Sequence, residues 1–219
     1  MEQLFDDRPL QERPPAQDGP TVCDDPRLAA VRLVTIGTSA GGVEALAVLL
    51  AALPARCRAA VAVVLHIPPD RASLLPRLYA DRCALPIKEV EDKEPVAPGV
   101  VYFAAPDYHM QIEPDQSFSL STEGPVNFSR PAIDLAFESA AYAYRDQLLA
   151  VVLTGASVDG AAGLRTAREQ GALAWVQDPA LASSAMMPAS ALRIAGADHI
   201  LSIAQIAAGL ACLPVFSAP

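Results

Sequence analysis

Residues 31–53 read VRLVTIGTSAGGVEALAVLLAAL, and the reading of this stretch decides the fold. A run rich in β-branched residues meets a glycine-rich turn holding one serine, Ser39, and an alanine- and leucine-rich helical pattern follows. Read as strand, sharp turn and helix, it sets the Ser39 hydroxyl at the carboxyl end of a buried strand. The N–H groups that open the helix then point at the same place. Gly37-Thr38-Ser39-Ala40-Gly41 has the G-x-S-x-G spacing of a nucleophile elbow, in which glycines relieve the crowding of a strained turn. By itself the pattern also fits a plain strand-to-helix turn or an anion-binding loop, so the rest of the chain has to choose.

Outward from it the same alternation repeats. Val61–Leu65 is a second buried strand closing on His66-Ile67-Pro68-Pro69-Asp70, and a helix with Asp70 as N-cap is expected over Arg71–Arg82. Short strands are expected at Ile87–Val90 and Val100–Ala104, and a hairpin from His109–Glu113 and Phe118–Ser121 around Pro114-Asp115. Pro131 opens a helix running to about Arg145, and Leu148–Leu153 is the third strong strand. It ends in Thr154-Gly155-Ala156-Ser157-Val158-Asp159-Gly160, and a helix to Gln170 stops at Gly171. Leu173–Val176, a helix over Ser184–Ala195, Ile200-Leu201 and a helix from Ile203 finish the chain. Continuous apolar strands alternating with helices predict an α/β fold: a doubly wound, mainly parallel sheet with helices on both faces and a small antiparallel hairpin at one edge.

Composition narrows the function. With 219 residues, 52% hydrophobic and 19% charged, the chain suits one well-buried domain. Residues 1–28, acidic and proline-rich, are expected to be a flexible tail, and residues 29–219 the folded domain. A net charge of −9 without a basic patch argues against nucleic acid. Apolar runs broken by Pro54, His66 or Thr154 are too short for membrane insertion. Cys23, Cys57, Cys83 and Cys212 include no C-x-x-C pair, so reduced thiols in a cytosolic protein are expected, and no metal set or cofactor. Oligomeric state leaves no mark in the sequence.

Three polar side chains fall just past three strand ends: Ser39, His66 and Asp159. Open α/β sheets bind ligands outside the carboxyl ends of their strands. A serine nucleophile needs an adjacent base, and the base needs a group to fix its tautomer and stabilise its cation. The three residues meet that need in kind. Plainer roles exist for each: Asp159 as a helix N-cap, His66 as a turn residue. His109 in the hairpin and His199 before a late strand read as structural. The order Ser, His, Asp differs from that of α/β-hydrolases, where the acid precedes the histidine. Nucleotide binding at the glycine turn is a poor fit, because Ser39 stands where the G-x-G-x-x-G fingerprint needs its second glycine and no acid closes the second strand.

The blocks IGTSAGG, LHIPP, NFSRPAID, LTGASVDGAAG and QDPALASSAMMPASA together resemble the catalytic domain of the CheB family of chemotaxis protein-glutamate methylesterases, in family order from about Val31 to Leu213. The resemblance implies a cytoplasmic serine hydrolase that removes methyl esters from glutamates of chemoreceptor signalling helices, and in many relatives deamidates receptor glutamines. By motif, Ser39 is the implied nucleophile, His66 the general base and Asp159 the residue orienting it. The Ala40 N–H is the best oxyanion donor, with a second from the 155–157 turn that contains Ala156. Arg130 either attracts an acidic receptor surface or anchors its own loop, and Arg71 and Arg77 are further candidates for a patch facing that partner. The chain departs from the family at Ala156, where methionine is usual, at Thr38 and Ala40, and at Leu65, where glutamine is common. A short tail also stands where typical members carry a receiver domain. The implied partner is the methylated cytoplasmic domain of a chemoreceptor or another signalling protein. The alternative is a CheB-like regulatory binding module with weak or no turnover, in a signalling system other than chemotaxis.

Overall fold

The computed structural model describes residues 22–67 and 74–217. The two strongest apolar runs become β1 (Leu33–Thr38) and β2 (Ala60–Leu65), every residue of both buried. With β3 (Ile87–Glu89), β4 (Val101–Phe103), β7 (Leu148–Val152), β8 (Leu173–Gln177) and β9 (His199–Leu201) they form a seven-stranded sheet, in the order β3-β4-β2-β1-β7-β8-β9. All of its pairs are parallel. A separate antiparallel pair, β5 (His109–Ile112) and β6 (Phe118–Ser121), is the expected hairpin. It is joined to the segment that leaves β3, where Lys93 N–H donates to Phe118 O (2.9 Å) and Phe118 N–H to Glu94 O (2.8 Å).

A strand buried on both faces must be apolar throughout, and here each face has its own helices. Val34, Ile36, Val61, Val63 and Val151 pack with Leu46, Leu49 and Leu50 of α1 (Gly42–Ala51) and with Ile206 and Leu210 of α6 (Ile203–Ala211). On the other face Leu33, Ala62, Val64, Ala150 and Val152 meet three helices: α3 (Ile133–Tyr144), α4 (Ala161–Glu169) and α5 (Met186–Ile194). Between β2 and β3 lies α2 (Leu75–Tyr79), shorter than the helix expected over 71–82, of which residues 71–73 and the expected cap Asp70 fall outside the described residues. Small side chains let α3 lie close to the sheet. A Cβ on Gly37 would sit 2.3 Å from Ile133 Cγ2, so only glycine fits where α3 begins its crossing over β1.

β1 is the switch point. From it the chain works outward through β2 towards β3, then returns to β7 on the opposite side. Neighbouring strands β1 and β7 therefore send their chains to opposite faces, to α1 and to α4, and a crevice opens at their carboxyl ends.

Two expectations need correction. The tail ends earlier than residue 28: Val22–Asp24 and Pro26–Ala30 form 3-10 turns, and Val22 and Leu28 are buried in the α1–α6 core. Asp25 accepts hydrogen bonds from Arg27 and pairs with His199 Nε2 (3.0 Å), while Arg27 also reaches Asp198 (2.9 Å). Residues 1–21 lie outside the described residues. Nor are all four thiols free: Cys23 and Cys212 form a disulfide that joins this segment to the end of α6, leaving Cys57 and Cys83 as free thiols. The two partners lie 189 residues apart, so only the fold brings them together. No helix among the described residues is long and apolar enough to cross a membrane.

Candidate active site

Ser39 follows β1 directly. Its N–H donates to Thr154 O (3.0 Å), and its carbonyl accepts from Gly42 N–H (2.9 Å), which closes the turn. Gly41 makes the turn with φ +80°, where a Cβ would also lie 2.7 Å from Ser183 Cβ. Thr154, at the end of β7, laces the loops together. Its hydroxyl donates to Ala40 O (2.9 Å) and accepts from Ser184 N–H (2.9 Å), and its carbonyl also takes the Thr38 hydroxyl (2.9 Å). Its own N–H is held by buried Gln177 Oε1 (2.8 Å). Nothing in the linear pattern marks Thr154 for this role, and Thr38 stands out there only as one of the departures from the usual residues. Both face inward at a strand end, where a hydroxyl has no water and must find protein partners.

His66, half-buried at the end of β2, and fully buried Asp159 lie 93 residues apart in sequence, and His66 Nε2 sits 2.9 Å from Asp159 Oδ2. Asp159 is not the N-cap of α4, a place taken by Gly160 with φ +90°. Its carboxylate instead receives the opening N–H groups of α3, Ile133 (2.7 Å) and Asp134 (3.1 Å), together with Gly160 N–H (3.0 Å) and Asn127 Nδ2 (3.2 Å). Burial alone pushes the Asp159 carboxyl up, but the His66 hydrogen bond and these helix N–H donors outweigh it and hold the group below its ordinary value. Asp134 sits next to it, accepting from Gly163 N–H (2.7 Å) and Asn127 Nδ2 (2.8 Å). Burial raises Asp134, and the Asp159 charge raises it further. The Asn127 amide thus bridges two buried carboxylates. Asn127 and Asp134 both stand in the NFSRPAID block, yet nothing in a linear string says that one amide serves two acids.

Because Nε2 faces Asp159, Nδ1 is the nitrogen left to act as a base. The Ser129 hydroxyl lies 3.4 Å from it. Ser39, His66, Asn127, Phe128, Ser129, Ala156, Ser157 and Val158 line one cavity, and a second opens beyond Phe128 against Ile67, Asp107, Pro125 and Arg130. Ser39 Oγ makes no hydrogen bond among the described residues. The N–H of Ala40, named from sequence as an oxyanion donor, is likewise uncommitted. In the 155–157 turn Gly155 N–H is taken by Ser184 O (3.1 Å), which leaves the N–H groups of Ala156 and Ser157. Ala156 itself is exposed on the cavity wall.

The loop carrying Asn127, Phe128 and Ser129 is a two-residue hairpin. Val126 and Ser129 exchange backbone hydrogen bonds (3.1 and 2.9 Å), and Asn127 and Phe128 both have positive φ, 50° and 63°. Arg130 pins its end, donating to Asp107 Oδ1 (3.0 and 2.6 Å) and to the carbonyls of Thr122 and Glu123 (both 2.9 Å). Of the two roles open to Arg130, this contact set is that of an anchor. Arg77 lies exposed on α2, and Arg71 outside the described residues. His109 is buried, its Nδ1 accepting from Ala132 N–H (3.1 Å) and its Nε2 facing Gly124 O (3.1 Å), so it ties the hairpin to the start of α3. Among the described residues no three His, Cys, Asp or Glu side chains converge as a metal-binding group.

Comparison with known proteins points one way. The family model described as CheB methylesterase matches residues 34–210. A Leptospira interrogans protein described as a protein-glutamate methylesterase/protein-glutamine glutaminase is 44% identical over 174 residues, covering 80% of this chain and 90% of that protein. Protein-glutamate methylesterase/protein-glutamine glutaminase 3 of Pseudomonas aeruginosa is 40% identical over 183 residues, 84% of this chain and 55% of that protein. The crystal structure of the Thermotoga maritima CheB methylesterase catalytic domain superposes with a TM-score of 0.78 at 32% identity, over 83% of this chain and 97% of that one.

Proposed function

The chain belongs to the CheB methylesterase family, and from that premise we propose that it hydrolyses glutamyl methyl esters on a protein, with Ser39 as nucleophile, His66 as base and Asp159 as the residue that holds the base. The observation that carries this reading is the His66–Asp159 hydrogen bond, which keeps the proton on Nε2 and leaves the Nδ1 lone pair for base chemistry on a residue that lines the same cavity as Ser39. Ser39 Oγ attacks the ester carbonyl while Nδ1 takes its proton. Asp159, held charged by helix N–H donors, stabilises the imidazolium. The tetrahedral intermediate collapses, His66 returns the proton, and methanol leaves with the C–O bond broken. Water, deprotonated by the same nitrogen, then attacks the acyl-enzyme and releases the glutamate and Ser39. The N–H groups of Ala40 and Ala156 are our choice of oxyanion donors, because backbone donors are indifferent to the loss of a larger side chain at 156. A glutamine amide passes through the same steps with ammonia as the leaving group.

The substrate we propose is the methylated cytoplasmic domain of a chemoreceptor, which sets the reaction in the cytoplasm. The test is methanol release from methylated receptor fragments by wild type, Ser39→Ala and Asp159→Asn. Release by wild type alone supports the assignment. No release, with Ser39 still labelled by a serine-directed fluorophosphonate, leaves a hydrolase of another ester. Absence of both release and labelling turns the reading to a binding module.

A further inference from the structure

We infer that Phe128 is the residue by which this site recognises a protein rather than a small ester: its ring is buried by the polypeptide segment that carries the glutamyl methyl ester. This deepens the methylesterase reading and rests on it.

Phe128 stands beside the base and has no packing of its own. Its relative exposure is 105%, as in an isolated residue, while both neighbours in the loop are tied into the site. The position is a demanding one for an aromatic. In a two-residue hairpin with positive φ at both centres, the second centre ordinarily belongs to glycine, which pays no steric penalty there. A bulky side chain held in that conformation without any contact contributes nothing to the fold. Strain of this sort is kept at functional sites when the surroundings over-determine it. Here they do: the Val126–Ser129 bonds close the turn, Asn127 is gripped by two buried carboxylates, and Arg130 fastens the far side.

Phe128 lines both cavities, the one that contains Ser39 and the one that runs to Asp107 and Arg130, and His66 and Ser129 line both with it. Val158, itself 46% exposed, forms an apolar wall of the first cavity. A glutamyl methyl ester entering towards Ser39 presents two methylenes and a methyl group beside its ester oxygens, too little surface to cover a ring as exposed as this one. What can cover it is the surface from which the glutamyl side chain extends. Exposed aromatics that become fully desolvated are the residues that dominate protein recognition.

The decisive variant is Phe128→Gly, because glycine suits the turn better and a purely structural role for the ring would show as no loss. We expect an unchanged or higher Tm. The kcat/KM on methylated receptor fragment should fall about tenfold relative to that on p-nitrophenyl acetate, mostly through KM. Phe128→Leu should recover most of it. A KM on the receptor within twofold of wild type, or an equal loss on both esters, overturns the inference. Wild type that releases no methanol overturns the methylesterase reading and this one together, whereas turnover by wild type matched by Phe128→Gly overturns this one alone.

Discussion

Asp159 shows how a single side chain is made to serve the base. Besides His66, its two oxygens accept from three backbone N–H groups and one amide, and the carboxylate stays charged in a place with no water. Asp159→Asn keeps the size but sets an NH₂ group against donors or offers His66 no anion. We expect kcat on receptor or small ester to fall about 1,000- to 10,000-fold, measured by stopped-flow acylation, with Ser39→Ala no more active. Asn127 is the second residue whose role can be separated. Its amide lowers Asp134, which burial and the Asp159 charge raise. Asn127→Ala should therefore cost about 1–3 kcal/mol at pH 7, where Asp134 would have to be held charged without its donor. The cost should be smaller at an acid pH, where Asp134, raised by burial and by the Asp159 charge, takes up its proton in the fold sooner than an ordinary carboxylate. Urea titrations at the two pH values measure this, and an equal loss at both would show that the amide serves Asp134 in neither state.

At the scale of elements, the site depends on α3 meeting the end of β1 and the start of α4. The contact at Gly37 sets that approach. Gly37→Ala drives a methyl into Ile133 Cγ2, and overpacking of this kind typically costs about 1–3 kcal/mol. In an Ile133→Ala background, which removes the clashing atoms, the same substitution should cost markedly less. The resulting coupling energy, read from a double-mutant cycle, is the check. Because Ile133 and Asp134 N–H groups hold Asp159, any shift of α3 is also felt at His66, so Gly37→Ala should slow turnover beyond its effect on stability. Thr154 does for the loops what Gly37 does for the helix. Without its hydroxyl, Ala40 O and Ser184 N–H lose a shared partner at the turn that presents Ser39.

For the whole molecule, the segment from Val22 to Ala30 closes the sheet edge over α6 and β9, through buried Val22 and Leu28, the Asp25–His199 and Arg27–Asp198 pairs, and the Cys23–Cys212 disulfide. A cross-link spanning nearly the entire chain restricts the unfolded state most. Reduction or Cys212→Ser is expected to lower stability by about 2–4 kcal/mol, seen as a lower urea midpoint in reductant than without it. The alkaline limit comes from the core. Burial pushes Tyr79 and Tyr144 up to about 12. A folded value raised above the unfolded one, about 10, means that their contribution is complete below pH 10 and lost as the pH rises through 12. Unfolding should accompany the rise in phenolate absorbance near pH 12, and a titration that leaves the far-ultraviolet circular dichroism intact would contradict it.

Sequence alone determined the layered α/β fold, because strands buried on both faces must be continuously apolar and glycines must mark the sharp exits, as at Gly41. It also determined the family, because five blocks in one order carry more information than any single turn, and Ser39, His66 and Asp159 each stand at a strand end where chemistry can gather. Tertiary structure decided everything that joins residues distant in the chain. It turned Asp159 towards the opening N–H groups of α3 and not into a cap for α4, left Nδ1 of His66 as the nitrogen turned away from Asp159, and set the Asn127 amide between two acids. It also spent Arg130 on its own loop, and brought Cys23 to Cys212 where scattered cysteines suggested free thiols. The physical reason is common to all of these. Burial and periodicity are local properties that a string records, whereas a hydrogen bond or a cross-link between distant residues exists only once packing has placed both partners within reach.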